Sequence, residues 1–185
     1  MFRVLAFLLF AALGATGVHA QDAEPRADEA APPAGAMTGA ALTEIVRRID
    51  PEAEALGNGV AFELVGREVV MVYDEAAGRM RAMSPITPAA TLDADLMERM
   101  LQANYDSALD ARYALAQGIV WSVFISPLGS LTRDDFLSGL AQTVTAAETF
   151  GADFTSGAIV FGGGDSQAIN EALLEALRRA DEDAI

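Results

Sequence analysis

The segment Ile119–Ser126 (IVWSVFIS) limits the fold more than any other stretch of the chain. As a strand it puts Val120, Ser122, Phe124 and Ser126 on one face and Ile119, Trp121, Val123 and Ile125 on the other. Both faces are apolar over most of its length. A sheet with helices on one side only would leave one of those faces in water. The second face therefore requires a cover: a partner, another subunit or the chain's own tail. Gln117-Gly118 is a tight-turn signal that joins this segment to a strand at 111–116 (ARYALA), and Pro127, Gly129 and Ser130 end it.

Upstream, Val60–Val65 follows the turn signal Gly57-Asn58-Gly59, and Gly66-Arg67 connects it to the compact, β-branched Glu68–Tyr73. Arg79–Ser84 alternates less cleanly after a turn at 74–78, and Pro85 is expected to break it. These three strands predict an antiparallel meander. Leu42, Ile45, Val46 and Ile49 recur at helical spacing between a Thr38 cap and a Pro51 stop. A second helix is predicted over 92–108 with Thr91 as cap and Asp93 and Asp95 in its first turn. Its stripe is Leu96, Met97, Met100 and Leu101, extended by Ala103, Tyr105 and Ala108. Thr132-x-x-Asp135 reads as a capping box for a third helix carrying Phe136, Leu140, Val144 and Ala147 to about Phe150. The order α-βββ-α-ββ-α predicts an α+β fold, with an antiparallel five-stranded sheet and helices packed on it.

The ends differ from this middle. Arg3, the apolar run Val4–Leu13 and Val18-His19-Ala20 form a signal-peptide pattern, with cleavage expected after Ala20 and a periplasmic destination. The run is too short to cross a hydrocarbon core of about 30 Å as a helix, so no membrane insertion is expected after cleavage. Residues 21–37 are Ala, Pro, Gly and acid and read as a disordered linker. The domain is expected over 38–155. Residues 156–185 then hold Ile159-Val160-Phe161 as a short strand or plug, a Gly162–Gly164 hinge, and a helix at 166–179 capped by Asp165 or Ser166. Its weak stripe is Ile169, Leu173, Ala176 and Leu177, with Glu175 and Arg179 as an i, i+4 pair.

Composition narrows the chemistry. Cysteine is absent, all 12 basic residues are arginine, and the single histidine leaves with the signal. Thiol–histidine and serine–histidine pairs, Schiff-base lysines and nearly every transition-metal site are thereby excluded from the exported chain. Asp93-x-Asp95 is not an EF-hand, because Glu98 and Asn104 stand where Gly and Glu are needed. Gly162–Gly164 lacks the lysine of a P-loop and the third glycine of a dinucleotide fingerprint. Ser156 has no histidine to activate it. No cofactor, metal or catalytic residue is expected; a carboxylate-dependent envelope hydrolase is the alternative, and a structural subunit of an envelope complex another. With 27 acids and a net charge of −15, nucleic acid is a poor partner.

Met100-Leu101-Gln102-Ala103-Asn104 at the end of the middle helix, the strands ARYAL and GIVWSVFI, and the helix start at Thr132 resemble the type III secretion chaperone-like superfamily. That group includes the Tir-chaperone (CesT) and YbjN families. The resemblance spans about 40–155. It implies a small acidic homodimer whose sheet and helix surfaces hold an extended segment of a partner protein. The signal peptide departs from it, since secretion chaperones work in the cytoplasm, and the glycine run and terminal helix lie beyond it. The expected protein-binding or dimer surface is Met97, Met100, Leu101, Tyr105, Trp121, Val123 and Ile125, the last three from the strand with two apolar faces.

Overall fold

The computed structural model describes residues 37–106, 110–150 and 167–183. The signal segment, linker residues 21–36, Ala108, Ile159–Phe161, the Gly162–Gly164 run and the Asp165/Ser166 cap lie outside them. Thr38 Oγ1 accepts from the Ala41 amide at 3.1 Å and starts α1 (Gly39–Ile49), which ends before Pro51. Met37, assigned to the linker from sequence, already packs against the core.

Six strands follow the helix: β1 (Glu54–Ala55), β2 (Gly59–Leu64), β3 (Arg67–Asp74), β4 (Arg79–Pro88), β5 (Arg112–Ala116) and β6 (Ile119–Pro127). They form one antiparallel sheet in the order β1-β2-β3-β4-β6-β5. The sheet thus has six strands rather than the expected five. The extra one, β1, is two residues long and too short to produce a periodic pattern. The two tight hairpins turn through Val65-Gly66 and Gln117-Gly118, each with positive φ at both residues, which matches the strand twist.

Pro85 does not end β4, which continues to Pro88 with an irregularity between Pro85 and Thr87. The β3 register stops at Met83, so the strand carries Pro85 where that flank has no ladder to lose. Helix α2 (Ala94–Asp106) begins later than predicted. Asp93, not Thr91, caps it, its Oδ1 accepting from the Leu96 amide at 2.8 Å. Thr91 instead donates to the Pro88 carbonyl within a 3-10 turn.

One face of the sheet makes the core. Val60, Phe62 and Leu64 of β2, Val69 and Met71 of β3, Met80 and Ala82 of β4 and Phe124 of β6 are buried together with Leu42, Ile45 and Val46 of α1. Helix α3 (Arg133–Glu148) lies against this face. Its start is the expected capping box between Thr132 and Asp135. The helix is buried almost all round, from Phe136 and Leu137 through Leu140, Ala141, Val144 and Ala147. Gly139 makes the approach possible, since a Cβ there would come within 2.4 Å of the Phe124 ring.

The outer side of α1 and α3 is covered by α4 (Gln167–Asp183). Leu173 and Leu177 enter the core cluster, while Ala176 and Ile169, expected in the same stripe, are exposed. Asp181 is fully buried between Arg48 of α1, at 2.5 Å, and Arg133 of α3. The hydrogen bond to Asp181 raises the Arg48 pKa above its usual value; burial works against that rise, and Glu44 adds to it.

Gly139→Ala should destabilise the fold by about 1–2 kcal/mol. Overpacking against Phe124 costs about 1–3 kcal/mol, and the better helix former returns up to about 1 kcal/mol. Urea denaturation followed by circular dichroism measures the difference; an unchanged or raised midpoint would show that α3 tolerates a wider separation from the sheet.

Candidate functional site

The strand alternation that fills the core leaves a second set of side chains on the opposite face. Cross-strand pairing places Val70 beside Met83, Met83 beside Val123, and Pro85 beside Trp121. Val72 pairs with Arg81, and Arg81 with Ile125. These residues form a continuous apolar field over β3, β4 and β6 with Arg81 within it. All except Ile125 and Arg81 are half-buried, and Ile125 is 46% exposed. The strand residues of the core cluster, which packs with α1, α3 and α4, lie on the other face. Among the described residues no helix covers this field. Fully burying one such Val, Ile or Met side chain contributes about 1.5–3 kcal/mol, so half-buried residues retain a substantial part of that drive. The Trp121 indole N–H is satisfied by the Ala116 carbonyl at 3.1 Å, so the ring can be covered without stranding a donor.

Helix α2 supplies a separate surface. Met97, Leu101 and Tyr105 lie at i, i+4 and i+8 and are 36%, 59% and 81% exposed. Met100, expected on the binding surface, is 3% exposed and turns inward with Ala103. The surface residues named from sequence therefore divide between two elements. Trp121, Val123 and Ile125 stand on the open sheet face, and Met97, Leu101 and Tyr105 form a stripe on α2. Sequence reasoning missed Val70, Val72, Met83 and Pro85. Their signal was in the outward positions of β3 and β4, where Val70 and Val72 follow Glu68, and Met83 and Pro85 follow Arg79 and Arg81.

The edges of the sheet are treated differently. Where β2 runs beyond the two-residue border strand β1, Asp50 Oδ2 accepts from the Glu63 amide at 2.9 Å. At the β5 edge, Asn104 of α2 engages Tyr113 twice: its Oδ1 accepts from the Tyr113 amide at 2.7 Å and its Nδ2 donates to the Tyr113 carbonyl at 2.9 Å. One side chain thus imitates a neighbouring strand. Side-chain caps of this kind withhold backbone groups that another chain could pair with.

A cleft of about 380 Å³ at the start of β5 is lined by Asp110, Arg112, Ser126, Ser130, Asp135 and Ser138, among others. Asp110 and Asp135 are both exposed and already engaged. Asp135 Oδ2 accepts from the Thr132 hydroxyl at 2.6 Å, and Asp110 Oδ2 from the Gln142 amide at 3.3 Å. They are not a pair of buried acids facing each other, the arrangement that carboxylate hydrolysis would favour. Among the described residues no cluster of acids or histidines is arranged to hold a metal ion, and no helix is long and apolar enough to cross a membrane.

No family model matches the sequence, and no curated protein is similar to it. Among solved structures the fold is similar to the ExsC–ExsE complex, at 14% identity and a TM-score of 0.49 over 60% of this chain and 92% of that one. It is also similar to the HopA1–SchA chaperone–effector complex, at 12% identity and a TM-score of 0.45 over 59% and 91%. A third is the Yersinia pestis type III secretion chaperone SycH with a fragment of YscM2, at 16% identity and a TM-score of 0.43 over 57% and 96%. The likeness is one of fold.

Asn104→Ala should cost about 1–2 kcal/mol, from two hydrogen bonds of about 0.5–1.5 kcal/mol each less the gain in helix propensity. Hydrogen exchange should then quicken at the Tyr113 amide. Unchanged exchange at that position would mean that the cap is not what protects the β5 edge.

Proposed function

We propose that this is an exported, non-enzymatic protein-binding module of chaperone-like type, which pairs with a second copy of itself through the open sheet face. The observation that carries the reading is the apolar field of Val70, Val72, Met83, Trp121, Val123 and Ile125, which no described helix covers. A field of this kind in a chain with a charge of −15 is a recognition surface rather than a defect of packing. The α2 stripe of Met97, Leu101 and Tyr105 offers the adaptable thioether and aromatic contacts suited to an extended segment of a client protein. Capped edges favour association through the face over addition of strands. The leader at residues 1–20 supports action in the periplasm, and the acidic surface supports protein over nucleic acid as the partner.

Light scattering on the chain from Gln21 onward should give twice the mass of one chain at micromolar concentration. Trp121→Asp should shift it to a single chain, with association weakened at least ~100-fold, because a buried aromatic is lost and a charge is desolvated. Circular dichroism unchanged from the parent would establish that the fold survived. A Trp121→Asp protein of undiminished mass would remove the sheet face as the interface. Export is checked separately: expressed with its leader, the protein should appear in the periplasmic fraction with Gln21 as its first residue, and retention of His19 would refute the cleavage site.

A further inference from the structure

We infer that the groove between α1 and α3 is a docking site for an amphipathic helix of a partner protein, with α4 as its resident occupant in the free chain. The helix it fits carries two leucines four residues apart and a carboxylate four residues further on. That is the stripe by which α4 itself is seated: Leu173, Leu177 and Asp181. A groove read at positions i, i+4 and i+8 of one helix accepts any helix that repeats them.

Three observations make the seat more than internal packing. Asp181 is fully buried, and its partners belong to the groove: Arg48 from α1 and Arg133 from α3. In a chain with more than twice as many acids as bases, two guanidinium groups from different helices converge at this one point. A basic residue there would set a third positive charge beside both, and a neutral one would leave Arg133 without this partner and Arg48 with Glu44 alone, so the seat favours an acid. Next, α4 fills the seat incompletely. Among the described residues Arg133 Nη2 is buried without a hydrogen-bond partner, so the groove offers a donor that Asp181 does not use. A glutamate, longer by one methylene, is the acid expected to engage it. Finally, Ile169 continues the i, i+4 series upstream of Leu173 yet is 48% exposed, so the first turn of α4 contributes little to its hold. A better-matched helix therefore has both polar and apolar contacts to gain. This groove lies on the helical side of the sheet, and its role does not depend on pairing through the open face.

The probe is a labelled peptide of residues 167–183, read by fluorescence anisotropy against the exported chain. Asp181→Ala in the chain should loosen α4, so that this variant binds the peptide at least tenfold more tightly than the unaltered chain. The same peptide with Asp181→Glu should bind more tightly still, and with Asp181→Lys it should bind neither protein. Equal affinity of the two chains, or binding of the lysine peptide, would overturn the proposal. Hydrogen exchange on the unaltered chain covers the case in which the variant fails to fold. Excess Asp181→Glu peptide should speed exchange in α4 while α3 stays protected. No change in α4, or loss of protection in both helices together, would equally overturn it.

Discussion

The structure depends on a helix that keeps little of its surface for water. Helix α3 buries residues around nearly its whole circumference, including Gln142, Thr143 and Thr145. Such a helix is stable only if something covers every side. The sheet covers one side, at the close approach allowed by Gly139 beside Phe124. Helices α1 and α4 share the same core cluster and complete the enclosure. Of the polar residues caught inside, the Thr143 hydroxyl donates to the Gly139 carbonyl and Gln142 Oε1 accepts from the Asp110 amide, while the Thr145 hydroxyl is buried without a hydrogen-bond partner among the described residues. The second of these ties the entry of β5 to α3, so the β5–β6 hairpin is positioned by the same helix.

The two faces of the sheet therefore differ in what completes them. The inner one is finished within the chain. The outer one is as apolar in its centre but meets no described helix. Asp181 is buried between two partly exposed arginines, so the cost of desolvating its carboxylate offsets part of their attraction, and removing the arginines would leave a buried charge unpaired.

What the sequence revealed followed from how local each signal is. The Thr132–Asp135 capping box, the Thr38 cap and the Gln117-Gly118 turn involve residues within a few positions of each other, and each formed as expected. The two-faced nature of β6 was legible because strand periodicity depends on nothing outside the strand. The orientation of α2 was not. Met97, Met100, Leu101 and Tyr105 are all apolar, and only the position of β5 decides that Met100 turns in while the others face out. The end of β4 depended on where β3 stops, which its own residues do not encode. Asp181 stands among other acids in Ala-Asp-Glu-Asp, and its importance comes from Arg48, which is remote in sequence and close in space.

The caps at Asp50 and Asn104 have a consequence for the size of any assembly. Strand edges propagate: each added strand presents a new edge, and growth has no natural end. A face that meets its own copy about a twofold axis uses up both surfaces in a single event. A carboxylate holds the Glu63 amide of β2 beyond β1 and an amide that mimics a strand holds Tyr113 of β5, so strand addition is discouraged at those positions. Under the proposed pairing through the open face, the caps would favour complexes of fixed size over fibres.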